Sequence, residues 1–243
     1  MNDFFDFGFA WSILPTLLQG AVVTIQATIL GYLLALVIGL PLSLARRSSS
    51  VVLKCLSWSV IEFIRSTPLL IQIYVVFFVA PEFGVTLSPM AAGLLSLGLY
   101  YGCFIAEVYR AGLDAVPRGQ WEAVRALNIG ARQAYQRIIL PQAIPPMVPA
   151  LGNFLIDMFK ATPILSVITV LEMMTRAKMI GSETFRYVEP ITIVGAIFLI
   201  LTLVSSAIIR RAERYFNAAD GRHAASSGDP AGIAPEAPTV RTV

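Results

Sequence analysis

Charge is what this chain lacks most. Only 14% of its 243 residues are Asp, Glu, Lys or Arg, against about 25% in soluble globular chains. That scarcity excludes an ordinary soluble domain. With 56% hydrophobic residues and a mean hydropathy of +0.73, the chain belongs in lipid. Cysteine is scarce too: Cys55 and Cys103 stand in apolar segments with no Cys-x-x-Cys and no histidine partner. Neither a disulfide nor a metal site is expected, and both read as packing residues. The single histidine, His223, lies in a polar tail and is assigned no role. The net charge of +3 is small, and no basic patch is studded with aromatics, so nucleic-acid binding has no support. No nucleophile–base set and no metal cluster are legible, so the chain is not read as an enzyme.

What is abundant is uncharged apolar sequence. Five runs stand out: about residues 15–45, 51–80, 89–108, 144–170 and 191–209. A bilayer core needs about 20 helical residues to cross. Helices are expected because an isolated span must satisfy its backbone internally, and the alternation of a barrel is missing. The fold class is therefore all-α, integral to the membrane, with about five spans. Residues 1–9 carry Asp3 and Asp6 but no Lys or Arg, unlike a secretory signal. Residues 1–14 are read as an external segment and the first run as a retained span. Eleven Lys and Arg residues would lie on one side (Arg46, Arg47, Lys54, Arg110, Arg118, Arg125, Arg132, Arg137, Arg210, Arg211, Arg214). Three would lie on the other (Arg176, Lys178, Arg186). That bias puts the N-terminus outside and the C-terminus inside. The mixed charges Glu172, Arg176, Lys178, Glu183, Arg186 and Glu189 then face outward, either as a docking surface or as a solvated face. Residues 217–243, rich in Ala, Ser, Gly and Pro, read as a disordered cytoplasmic tail.

Two runs contain charges. Glu62 and Arg65 are three apart, as are Asp157 and Lys160, so each pair can share a helix face. A charge at membrane depth costs about 2.5–3.5 kcal/mol on insertion scales, so such groups face protein or water. Thr67-Pro68 and Thr162-Pro163 follow the pairs and are expected to break the helix, exposing backbone groups suited to a zwitterion. With Gln72, these residues are candidates to line a path. In the bland alternative each pair neutralises itself and locks neighbouring spans, or Glu62 and Arg65 snorkel to the inner surface. The Gly31-xxx-Ala35-xxx-Gly39 and Gly98-xxx-Gly102 patterns point to close helix contacts.

Between the third and fourth runs lies a polar, basic, helix-forming stretch, Glu122-Ala-Val-Arg-Ala-Leu-Asn128-Ile-Gly-Ala-Arg-Gln-Ala-Tyr-Gln-Arg-Ile138-Ile-Leu140-Pro141. Pro117 suits a helix start, residues 120–127 favour helix, and Asn128 suits a left-handed stop. A second short helix over residues 131–139 would present Tyr135, Ile138 and Ile139. Pro141, Pro145, Pro146 and Pro149 are expected to prevent a regular continuation into the next span. The product is a helix–turn–helix elbow. It could seat in a partner's groove as a lever or lie on lipid headgroups.

The motif decides between them. Glu122, Ala123, Ile138, Leu140 and Pro141 fall at the spacing of the EAA motif, the cytoplasmic loop of bacterial ABC importer permeases. That pattern runs Glu-Ala-Ala, three residues, Gly, nine residues, Ile, one residue, Leu-Pro. Val124 stands here for the second Ala and Asn128 for Gly. The resemblance covers about residues 10–216. Glu62-Phe-Ile-Arg-Ser-Thr-Pro-Leu-Leu-Ile-Gln72 and Phe159-Lys-Ala-Thr-Pro-Ile-Leu-Ser-Val167 look like the polar amino-acid uptake branch, the histidine/glutamine permease type. Pro117-Arg-Gly-Gln-Trp-Glu-Ala, Leu140-Pro-Gln-Ala-Ile-Pro-Pro and Thr184-Phe-Arg-Tyr-Val-Glu-Pro190 are similar to ectoine and hydroxyectoine importer permeases.

The resemblance implies a type I ABC importer transmembrane domain over residues 15–216, with a coupling loop at about 110–141, in the bacterial inner membrane. A second permease subunit, with a heterodimer favoured, would complete the pathway. A cytoplasmic ATPase dimer would bind ATP and Mg²⁺, and an external solute-binding protein would deliver a polar amino acid or an ectoine-like compatible solute. No Gly-x-x-x-x-Gly-Lys loop is present, in keeping with a nucleotide bound by another chain. The ATPase-coupling residues are then Glu122, Ala123, Val124, Leu127, Asn128, Gly130, Tyr135, Ile138, Leu140 and Pro141. The substrate path is assigned to Glu62, Arg65, Thr67, Gln72, Asp157, Lys160 and Thr162. A secondary transporter or channel needing no ATPase is the alternative.

Overall fold

The computed structural model describes residues 5–226, and among them there are helices and turns but no strand. Helix α1, Phe7–Arg46, is capped by Asp6, whose carboxylate accepts the Phe9 N–H at 3.0 Å. It begins well before the expected span, so residues 7–14 belong to the helix and only the start of the external segment (1–4) lies outside the described residues. At 40 residues it is about 60 Å long, twice the roughly 30 Å hydrocarbon core.

The second run is broken. Helix α2, Val51–Ser66, and the segment Leu69–Phe83, which opens with helix α3 (Leu69–Tyr74), meet at 102°. Pro68 has no N–H and forces the residue before it out of the helical region. Thr67 accordingly has φ −102° and ψ 139°. Helices α4 (Pro89–Asp114), α5 (Arg118–Ala126), α6 (Ala131–Ala134), α7 (Leu140–Ala161), α8 (Met173–Thr184) and α9 (Val188–Ser226) follow. Four stretches are long and apolar enough to cross a membrane, and the bent pair makes a fifth.

Three expectations need correction. The prolines after the elbow do not interrupt the chain: Ala131–Ile168 is one continuous helical span. A π-turn over Tyr135–Ile139 precedes Pro141, and such a turn re-registers the ladder where a proline supplies no N–H. The Gln142 side-chain amide also donates to the Ile138 carbonyl at 2.7 Å. Thr162-Pro163 does not break its helix either. Thr162–Ile168 tightens to a 3₁₀ turn, and the chain turns only at Thr169, with φ 62°. Finally, α9 runs on through residues 217–226, an alanine-bearing stretch read as disordered tail. Residues 227–243 of that tail lie outside the described residues.

The centre of the fold is the α1–α4 pair. A Cβ built on Gly39 would lie 2.9 Å from Ile105 Cγ2 and 3.0 Å from the Gly102 carbonyl oxygen. One on Gly102 would lie 2.9 Å from Ile38 Cγ2 and 3.3 Å from the Ala35 carbonyl oxygen. The two small-residue patterns therefore meet each other, as backbones do where side chains are absent. Around them pack Ala35, Leu97, Tyr101, Ile105, Met158 and Leu165. A second cluster, Leu17, Met173, Ala177 and Val194, joins α1, α8 and α9. Cys103 is buried in α4 as a packing residue, but Cys55 is exposed.

Gly39→Val is expected to destabilise the chain by about 1–3 kcal/mol through overpacking. Gly195→Val, at a position with nothing within 4 Å, is expected to have little effect. Thermal unfolding of the detergent-purified chain, followed by fluorescence size-exclusion, measures both. Equal unfolding temperatures for the two variants would show that the α1–α4 approach is not tight.

Candidate coupling elbow and translocation path

The elbow is built by a capped helix end. Helix α5 starts after Pro117 and ends at Ala126 with Leu127 as its cap, slightly displaced from the expected 120–127. Asn128 takes φ 49°, in the left-handed region. The Ile129 N–H donates to the Val124 carbonyl at 3.0 Å and the Asn128 N–H to the Arg125 carbonyl at 3.1 Å. This is the Schellman arrangement, which satisfies two orphan carbonyls and commonly has Gly, sometimes Asn, at the left-handed position. Gly130 then leads into α6 with a Cβ-tolerant φ of −58°, so it is not the residue that makes the turn.

The elbow's apolar side chains divide between two faces. Trp121 meets Tyr135 edge-on, centroids 5.8 Å apart. Both pack with Ile138 against Leu113, Val116, Ile139, Ala143 and Met147. Tyr135 and Ile138, half-buried, and Ile139, buried, hold the elbow to its own spans. Glu122, Ala123, Asn128, Gly130 and Pro141 are exposed and Val124 is half-buried. Leu127, 72% exposed, and Leu140, 36% exposed, are the large apolar groups left facing outward.

Beside the elbow lies an ion network that the sequence reading did not anticipate. Arg46 pairs with Glu107 at 3.2 Å, and Arg110 pairs with Glu107 at 2.8 Å and Asp114 at 2.9 Å. Arg47 pairs with Asp114 and lies 5.5 Å above the Trp121 ring. Exposed pairs contribute little each, about 0–1 kcal/mol, but this chain of contacts ties α5 to the ends of α1 and α4 together. The helical spacing of Glu107, Arg110 and Asp114 would have revealed the local half. Arg46 and Arg47 are 61 and 67 residues from their partners, a separation at which spacing carries no information.

The path residues part company. At the α2–α3 break, Gln72 Nε2 donates to the Ile64 carbonyl at 2.7 Å, the Thr67 hydroxyl at 2.9 Å and the Thr67 carbonyl at 3.2 Å. Thr67 Oγ1 donates to the Phe63 carbonyl at 3.0 Å. The break's polar groups are thus capped from within by Thr67 and Gln72. Thr162 is fully buried, its hydroxyl donating to the Phe159 carbonyl at 2.7 Å. Asp157 and Lys160 remain open, 3.8 Å apart, and Asp157 accepts the Tyr101 hydroxyl at 3.0 Å. Asn153 precedes them at helical spacing and is likewise exposed, so α7 carries an open polar stripe that sequence reasoning only half saw. Glu62 makes no ion pair among the described residues. Arg65 instead lies 5.0 Å above the Phe104 ring and lines a cavity of about 430 Å³ with Glu107, Arg110, Pro146, Ala150 and Phe154. Cavity and stripe share one side of α7, because positions 146, 150, 153, 157 and 160 repeat at helical spacing.

At the opposite end, the supposed mixed-charge surface is largely consumed by the fold. Glu172 is fully buried and caps α8, accepting the Thr175 N–H at 2.7 Å and the Met174 N–H at 2.9 Å. Burial pushes its carboxyl above the ordinary value. Glu189 is buried, pairs with Arg186 and accepts the Asp6 N–H at 3.1 Å. Arg186 also pairs with Asp6 at 3.2 Å. The Phe9 N–H and then the Arg186 guanidinium hold Asp6 below its ordinary range. Lys178 and Glu183 stay exposed.

Comparison with known proteins identifies the class. Residues 36–217 match the family described as binding-protein-dependent transport system inner membrane component. The chain belongs to that family, the ABC importer permeases. It is similar, at 43% identity over 84% of this chain and 89% of the relative, to the probable amino-acid ABC transporter permease protein y4tG of Sinorhizobium fredii. It is 34% identical, over 84% and 89% of the two chains, to the L-cystine transport system permease protein TcyB of Bacillus subtilis. Among solved structures, a chain from an amino acid ABC transporter with histidines aligns with a TM-score of 0.81 at 36% identity, covering 87% of this chain and 99% of that one. A chain of the inward-facing MetNI methionine transporter, with a TM-score of 0.71 at 21% identity and covering 84% and 98%, shares the fold.

Asn128→Gly is expected to leave the elbow intact, since Gly takes the left-handed region freely, whereas Asn128→Val introduces a β-branched side chain there and costs about 1–2 kcal/mol. Co-purification with a cognate ATPase should survive the first change and weaken several-fold with the second. Full retention with Val would contradict the turn described.

Proposed function

We propose that this chain forms half of a membrane pathway that imports polar amino acids or an ectoine-like compatible solute, driven by ATP hydrolysis in a separate cytoplasmic ATPase dimer. The observation that carries the reading is the elbow. It is a rigidly capped turn at the EAA-motif spacing, with Leu127 and Asn128 outward and Trp121 and Tyr135 tying it to the spans. The relatives' names, which include L-cystine and glutamine transport, support the substrate class. In this reading the membrane is the inner one of a bacterium, and the basic end lies in the cytoplasm, as the Lys and Arg bias favours. ATP and its Mg²⁺ belong to the ATPase. Closure of that dimer presses on residues 122–128, and the push passes through Trp121, Arg47 and Asp114 to the ends of α1 and α4.

The second half of the pathway is another permease subunit, preferably a related but different one. The open stripe of Asn153, Asp157 and Lys160 on α7 would face it across a water-filled path, because charges at membrane depth require protein or water around them. An Asp157 carboxylate and a Lys160 ammonium suit the two charged groups of a zwitterion. An external binding protein would deliver the solute and do much of the selecting.

Proteoliposomes holding the assembled complex, its binding protein and labelled glutamine, cystine or ectoine test the reading. Uptake is expected only with internal ATP; uptake driven by an ion gradient without the ATPase would overturn it. Lys160→Met is expected to lower the uptake rate about tenfold, or about 1.4 kcal/mol, with assembly and ATPase docking unchanged. Unaltered affinity and rate would remove Lys160 from the path.

A further inference from the structure

Three helix ends meet beside the elbow around a basic cavity, in which Arg47 and Asp114 belong to the coupling route but Lys54 and the surplus positive charge have no part in it. Arg46 and Arg47 at the end of α1, Lys54 in the first turn of α2, and Arg110 and Asp114 at the end of α4 line about 320 Å³. That equals about ten water volumes, room for a phosphoglycerol-sized group. Both nearby carboxylates are already engaged. Glu107 takes Arg46 and Arg110, and Asp114 takes Arg47 and Arg110. Four cations set against these two carboxylates leave two positive charges in surplus. Lys54 has no ion-pair partner among the described residues.

The position says what kind of anion belongs there. Val51, Lys54 and Trp58 follow one another at helical spacing along α2, and Val51 and Trp58 are 72% and 52% exposed. An ammonium at the mouth of the cavity therefore has open apolar surface on the same helix face, with an indole about one turn further along. That combination of basic group, indole and apolar flank is the pattern of a bilayer's headgroup level. We propose that this cavity holds the headgroup of an anionic phospholipid, its phosphate among Lys54, Arg47 and Arg110 and its acyl chains against the Val51–Trp58 face of α2. The proposal rests on these spans lying in a bilayer with this end at headgroup level. It has a consequence for coupling: Arg47 also lies over Trp121, so an occupied cavity fixes the residue from which the elbow is held.

The test uses the full-length chain purified in detergent and exchanged with phosphatidylglycerol or phosphatidylcholine, with retained lipid counted by native mass spectrometry. The wild-type chain should retain phosphatidylglycerol in clear preference. Lys54→Gln should lower that preference about fivefold, the equivalent of the roughly 1 kcal/mol that a basic residue contributes near an anionic surface. Lys178→Gln, at the other end of the molecule where Lys178 bonds Ser166, should not. Equal retention of the two lipids by wild type, or a preference unmoved by Lys54→Gln, would overturn the proposal. So would displacement of the lipid by millimolar inorganic phosphate, which would mark a site for a soluble anion. If Lys54→Gln instead weakened ATPase co-purification with lipid retention unchanged, the cavity would be a protein contact and the proposal would fall. ATP-driven uptake by wild type is read separately, so loss of the lipid preference with uptake intact refutes this site and leaves the transport reading standing.

Discussion

The approach of α1 to α4 is the contact from which the other arrangements follow. Inside lipid there is no hydrophobic force between helices, so two spans stay together by packing and by hydrogen bonds. Gly39 and Gly102 let the two backbones come within the reach of a single methyl group. With these helices fixed, the end of α1 lies against the end of α4, and Arg46 and Arg47 find Glu107 and Asp114. Trp121 then has a cation above it and Tyr135 beside it. The elbow is thus held by a sequence of contacts that begins at the glycine approach of α1 to α4.

In the proposed function, this arrangement would let a polar loop act on buried helices. A loop attached only by its two ends would move alone. Here α5 is packed through Trp121 onto a cluster that includes Leu113 of α4 and Met147 of α7. A push on Leu127 or Asn128 therefore meets a body continuous with the spans. The turn itself is stiff, since two backbone hydrogen bonds close it and Asn128 is already in the conformation it needs.

The charged residues divide by the same logic. Those with partners from other helices, such as Glu107, Asp114, Arg186 and Glu189, join elements together. Lys160 meets only Asp157 of its own helix, and both remain open although Asp157 also accepts the Tyr101 hydroxyl of α4. Thr67, Gln72 and Thr162 spend their hydrogen bonds on carbonyls of their own segments. At membrane depth an uncapped backbone group costs several kcal/mol, so side chains next to a break serve the break first.

Much was legible in one dimension because its causes are local. Apolar runs set the spans, Pro68 set the break, Asn128 set the turn, and the EAA spacing marked the elbow. Each depends on residues within a turn or two of one another, or on the solvent alone. Other features were decided only by the tertiary structure. Which way Tyr135 and Ile138 face depends on Leu113 and Met147 being opposite them. That the helix runs on through Pro145, Pro146 and Pro149 is a property of the folded chain that their sequence did not announce. The roles of Arg46 and Arg47 depend on carboxylates more than sixty residues away. Helical periodicity reports which residues share a face, but it does not report what that face meets. That meeting is fixed by how closely the glycines let α1 and α4 approach.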